Sequence, residues 1–96
     1  MDRYPRDFDW DEWNRAHVLD RHGIFPDEAQ EPFDDPKVVR VPTPRIDGER
    51  RQAIVGHTNN DRLLFIVFTM RRGLVRIISA RDANEAERRQ YRRSKG

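Results

Sequence analysis

Cysteine is absent from this 96-residue chain, which removes disulfide frameworks, thiolate metal sites and cysteine nucleophiles from consideration. Long apolar runs are missing too. The longest near-continuous one, Leu63 to Phe68, is far too short to cross a bilayer, and Met1-Asp2-Arg3-Tyr4-Pro5 has no basic start leading into an apolar stretch. Neither a signal peptide nor a membrane span is expected, and a small chain without crosslinks suits the cytoplasm. The sequence contains no glycine-rich phosphate loop, no G-x-S-x-G elbow and no H-E-x-x-H, so nucleotide hydrolysis, serine hydrolysis and zinc proteolysis lose their usual signals.

Lysine is scarce. Only Lys37 and Lys95 occur, so 17 of the 19 basic residues are arginine, whose planar fork binds phosphate bidentately and stacks on bases. The formal net charge of +2 conceals an uneven distribution: residues 1–48 sum to −5 and residues 49–96 to +7. A basic half of this kind suits a polyanionic partner, although charge alone carries no geometry. With 35% hydrophobic and 38% charged residues, the chain reads as a single domain over 1–96, with 1–8 and 94–96 as loose ends. At this length a fold buries only about 60–65% of the surface its unfolded chain exposes, so a partner or a second copy can supply part of the stability.

Hydrophobic spacing gives the element order. Trp10, Trp13, Ala16 and His17 fall on one helical face, predicting a helix from Trp10 to Arg21 that stops at Gly23, with His17 as a core histidine on the tryptophan stripe. Pro26-Asp27-Glu28-Ala29 opens a short second helix, closed by Asp35-Pro36. Lys37 to Val41 and Arg50 to His57 read as strands, with a turn at Asp47-Gly48. Leu63 to Met70 is apolar on both alternating faces and predicts a central strand. Arg71-Arg72-Gly73 turns it into an antiparallel partner, Leu74 to Ala80. Asn84-x-x-Glu87 forms a capping box for a last helix whose later turns carry Arg88, Arg89, Arg92 and Arg93. The order α-α-β-β-β-β-α argues an α+β fold with a four-stranded, mainly antiparallel sheet.

Candidate chemistry is narrow. His17 and His22 are five residues apart, about 140° around a helix, and cannot chelate one ion, so neither a metal nor a cofactor is called for. Arg51, Arg76 and Arg81 alternate with apolar residues in strand-like segments, where a guanidinium needs an acid partner or a phosphate. Arginines converging on one face suit RNA cleavage: the 2′-hydroxyl must lose a proton, the pentavalent phosphorane must be stabilised, and the 5′-oxygen must gain a proton. Cations serve the second step and a His or Glu carries the protons.

Phe8-Asp9-Trp10-Asp11, Arg21-His22-Gly23-Ile24, Asp27-Glu28-Ala29 and Phe33-x-Asp35-Pro36 resemble the first half of the BrnT family of type II toxins. Glu49-x-Arg51, Gly56, Arg62 to Thr69, Arg76-Ile77-Ile78-Ser79-Ala80-Arg81 and Glu87-Arg88-x-x-Tyr91 resemble its second half more closely, so the resemblance covers roughly residues 8–93. It implies a RelE-like fold and a metal-independent ribonuclease that arrests growth. It also implies neutralisation by a BrnA-type antitoxin with a ribbon-helix-helix domain, in which two toxins and two antitoxins assemble and DNA is bound only through the antitoxin. A homodimer of the toxin is the simpler assembly. On this reading Arg51, Arg76 and Arg81 are phosphate and transition-state ligands, His22 is the first proton-transfer candidate, and Glu28 and Tyr91 follow it.

The chain departs from the family pattern at Asn14 and Val18, where many members carry lysine and asparagine, and at Arg21, where they carry lysine. Together with Trp13 and His17 these mark a divergent branch. If the missing lysine is catalytic in relatives, the alternative is an inactive binding module acting through a ribbon-helix-helix partner.

Overall fold

A computed structural model describes residues 7–43 and 50–94, the side chains of Asp20, Arg21 and His22 excepted. The expected Asp47-Gly48 turn, the ends at 1–6 and 95–96 and the His22 ring lie outside the described residues.

The first helix, α1 (Glu12–His22), starts because Asp11 and Asn14 cap each other. The Asn14 backbone N–H donates to Asp11 Oδ1 at 3.1 Å, and the Asp11 N–H donates to Asn14 Oδ1 at 2.7 Å. Gly23, in the left-handed region at φ 65°, ends it as expected. The buried stripe is not the one that spacing predicts. Trp10 precedes the helix, Trp13 is 56% exposed, and His17 stacks on it with ring centroids 4.8 Å apart, so His17 is not a core histidine. Instead Asn14 and Val18, one turn apart, face the sheet and are fully buried. An asparagine can take a core position here because its side-chain amide donates to two backbone carbonyls, Asp9 O at 3.0 Å and Ile77 O at 3.1 Å. Hydropathy does not nominate such a residue.

Helix α2 (Pro26–Gln30) runs into a short 3-10 helix, Glu31–Asp34, which buries Pro32 and Phe33. The sheet follows: β1 (Val39–Val41), β2 (Gln52–His57), β3 (Leu63–Arg71) and β4 (Leu74–Asp82), in spatial order β1-β2-β3-β4 and antiparallel throughout. The expected hairpin is present, with Arg72 at φ 55° and Gly73 at φ 78° forming a two-residue turn whose twist matches the strands. A bulge at Val67/Phe68 leaves Ile78 unpaired and resets the register, so that Phe65 faces Arg81 and Thr69 faces Arg76. The outer edge of β4 is covered by residues 7–9, where Asp9 N–H donates to Val75 O at 2.8 Å and Val75 N–H to Asp7 O at 3.0 Å.

The central strand is covered on both sides, as its apolar run requires. One face carries Ile54, Leu64, Ile66, Phe68, Val75 and Ile77 against Val18, Ile24, Ala29 and Phe33 of the helical layer. The opposite face carries Val39, Val41, Ala53, Val55, Leu63 and Ala83, with Phe65, Val67 and Tyr91 packed against them. Helix α3 (Glu85–Arg93), opened by the expected Asn84/Glu87 capping box, lies on this second face, and none of its residues is fully buried.

Candidate functional site

Arg76 and Arg81 are five residues apart, which plain alternation would send to opposite faces, but the bulge at Val67/Phe68 puts both on the face that carries α3, about 13 Å apart along β4. Arg81 spans two kinds of partner. Its guanidinium lies 4.2 Å from the centroid of the Phe65 ring, and its fork grips the Glu87 carboxylate of α3 at 2.8 and 2.9 Å. Arg76 is more deeply set, with 13% of its side chain exposed, and turns to the chain's first segment: Asp11 at 3.1 Å and Asp9 at 3.6 Å. Asp11 is held below the ordinary carboxylate range by the Asn14 N–H first, then by Arg76, against a desolvation effect of opposite sign. Arg76 Nη1 is buried without a hydrogen-bond acceptor among the described residues. Arg76 therefore ties the start of α1 to the edge strand.

Arg51 and Glu28 stand on other segments. Arg51 immediately precedes β2, and with Arg40, Thr43, Arg50 and Gln52 it lines an open cleft of about 530 Å³. Glu28 of α2 meets Arg62 at 3.4 Å, and Arg62 also grips Asp82 at 2.8 and 3.2 Å, a clamp that joins the helical layer to the ends of β3 and β4. The arginine cation is stabilised there, chiefly by its bonds to Asp82.

Tyr91 of α3 sits in a cluster that sequence spacing does not reveal. Its hydroxyl donates to Asp35 Oδ2 at 2.7 Å and lies 3.0 Å from His57 Nδ1, with the two rings edge to face. Asp35 also accepts the backbone N–H groups of His57 at 2.8 Å and Lys37 at 2.9 Å. Burial works to raise the Asp35 carboxyl, but these N–H groups, the tyrosine hydroxyl and the nearby imidazole outweigh it and hold the group below its usual range. Burial raises the Tyr91 phenol well above its ordinary value, helped by the bond to Asp35 and by the charges of Asp35 and Asp61. Asp35 and His57 were not among the sequence candidates. Asp35-Pro36 and Tyr91 both stand in the strings that carry the BrnT resemblance, and that co-occurrence was the available signal.

A family model described as "Ribonuclease toxin, BrnT, of type II toxin-antitoxin system" matches residues 10–87. The chain belongs to this family. No curated protein matches it. As a BrnT toxin it is a ribonuclease-family protein of a type II toxin–antitoxin system, with RNA as the substrate class and an antitoxin as partner. The matched span includes Asp35, Arg51, His57, Arg76, Arg81 and Glu87, and Tyr91 lies four residues beyond it. No helix among the described residues is long and apolar enough to cross a membrane.

Asn14 is fully buried between α1 and β4 and bonded at both ends of its amide. In this chain that position holds the fold together and is closed to a substrate.

Proposed function

We propose that this BrnT protein is a metal-independent RNA endonuclease in which Arg81 is the principal transition-state ligand, with Arg76 and Arg51 as phosphate ligands further along the RNA path. The observation that carries this reading is the Arg81–Glu87 fork. Arg81 sits on a strand with its donors aimed at a carboxylate, and that carboxylate belongs to a helix with no fully buried residue. A phosphodiester oxygen pair matches the same fork geometry, so RNA can take the place of Glu87 at modest cost. Of the sequence-derived proton carriers, Glu28 is engaged by Arg62 and Tyr91 holds its proton tightly. His22 remains a candidate by sequence.

The partner we infer is a BrnA-like ribbon-helix-helix antitoxin in a two-toxin, two-antitoxin cytoplasmic assembly, with DNA contacted through the antitoxin. The test is incubation of a mixed-sequence RNA with purified protein in excess EDTA, alongside growth assays with and without the neighbouring gene product. Cleavage in EDTA and growth arrest relieved by that product support the reading.

A second reading, an inactive binding module, is favoured by the fact that Arg76 and Arg81 are both already paired with carboxylates. It is selected if expression leaves growth untouched and RNA intact while the ribbon-helix-helix partner still binds.

A further inference from the structure

We propose that His57 is the proton-transfer residue of this site and that Tyr91 and Asp35 are positioning residues that fix its tautomer. The inference rests on the ribonuclease reading and adds to it a residue that neither the sequence motifs nor the family match assigns.

Proton counting in the cluster gives the tautomer. Tyr91 has one hydroxyl proton, and the carboxylate 2.7 Å away can only accept, so that proton points at Asp35. The 3.0 Å contact between Tyr91 Oη and His57 Nδ1 then has no proton from the tyrosine side and must be filled by one on Nδ1. The chain of donation runs His57 Nδ1–H to Tyr91 Oη–H to Asp35. In neutral His57 the other nitrogen, Nε2, therefore carries the lone pair. Nε2 has no hydrogen-bond partner among the described residues, and the side chain is 36% exposed. It is a base with its lone pair available and its ring held by a second residue, the arrangement general-base catalysis requires.

The surroundings allow the charge to change. Asp35 lies 3.9 Å from Nδ1, close enough to stabilise the imidazolium once Nε2 has taken a proton. His57 opens onto a hollow of about 200 Å³ bordered by Glu31, Asp34, Thr58 and Asn59. The acids beside it are held by hydrogen bonds: Asp35 accepts three and Glu31 accepts the Asn59 N–H at 2.9 Å. Arg88 stands one turn before Tyr91 on α3, exposed and without an ion-pair partner among the described residues.

The step balances without a metal or a redox partner. His57 Nε2 takes the 2′-hydroxyl proton as O2′ bonds to phosphorus. The P–O5′ bond breaks and O5′ takes a proton from water. The products are a 2′,3′-cyclic phosphate end and a 5′-hydroxyl end, and the imidazolium proton and the hydroxide recombine in solvent.

The test compares wild type, His57→Gln and Tyr91→Phe on an end-labelled mixed-sequence RNA in EDTA, with thermal melts and RNA-binding titrations as controls and 15N imidazole NMR of wild type and Tyr91→Phe. The expected result is a loss of about 100-fold or more in cleavage for His57→Gln with RNA binding retained. In wild type the NMR reads the Nδ1–H tautomer, and in Tyr91→Phe a tautomer mixture together with a lowered kcat at unchanged KM. A merely structural tyrosine would lower the melting temperature and leave the tautomer alone. Cleavage by His57→Gln within about threefold of wild type overturns the assignment while the ribonuclease reading stands, and an Nε2–H tautomer in wild type overturns it as well. Absence of cleavage by wild type overturns the ribonuclease reading itself and the His57 role with it.

Discussion

Arg81 and Glu87 are six residues apart in sequence, one on the last strand and the other in the first turn of the last helix, and they meet as a two-bond fork at 2.8 and 2.9 Å. The same Glu87 carboxylate accepts the Asn84 N–H of the capping box at 2.9 Å. Helix α3 is thus closed over the arginine by a residue that also starts the helix.

If RNA and Glu87 compete for Arg81, Glu87→Gln should bind RNA about two- to tenfold more tightly, because glutamine keeps the capping bond and loses the ionic fork. A filter-binding or anisotropy titration reads this directly, and unchanged or weaker binding argues against competition.

Asn14→Ala should cost about 2–4 kcal/mol, since it removes the N3 half of the capping box and leaves the Ile77 and Asp9 carbonyls without their side-chain donor. A chain of this size then melts roughly 10–25 °C lower. The folded fraction should keep its cleavage rate per molecule, because residue 14 is closed to substrate. A specific loss of rate with no change in melting temperature would restore a catalytic role for that position.

Gly56 is expected to resist substitution. A Cβ there would stand 2.9 Å from the Pro32 carbonyl oxygen and 3.1 Å from Pro32 Cβ, both in the 3-10 helix packed on β2. Gly56→Ala should destabilise by about 1–3 kcal/mol in urea unfolding, with an unchanged m-value.

The acid limb of stability follows from Asp35. Its folded-state value is depressed below the ordinary 3.8, so the unfolded chain binds the proton more readily and the stabilisation is present above that value. It is lost as pH falls below 3.8 through the folded value. Asp35→Asn should lower stability at neutral pH and flatten the acid limb. A wild-type and variant pair with parallel acid limbs would show that Asp35 is not the group responsible.

RNA binding should weaken with salt, the logarithm of affinity falling by about 0.7 per phosphate contact for a single strand. Arg51→Ala should reduce that slope by about one contact. Affinity unchanged between low and high salt would remove the basic cleft from the RNA path.

The strands, the two-residue hairpin and the last helix were legible because their signals are local: the unbroken apolar run from Leu63 to Phe68, the Arg72-Gly73 turn, and Asn84 three residues before Glu87. The α1 stripe was not. Burial of Asn14 depends on a carbonyl 63 residues away, and spacing selected Trp13 and His17, which stack outside. Alternation marked Arg76 and Arg81 as unusual on a strand, but their partners come from other segments. The Asp35–His57–Tyr91 cluster joins three segments separated by 22 and 34 residues, so no spacing rule connects them before the chain is folded.

The most direct test of the central claim is cleavage of a mixed-sequence RNA by wild type and Arg81→Ala, both confirmed folded and both in excess EDTA. The account predicts cleavage by wild type and a loss of about 30- to 1000-fold in the variant, the range for removing one charge-stabilising donor from a transition state. Cleavage by Arg81→Ala at the wild-type rate would contradict it.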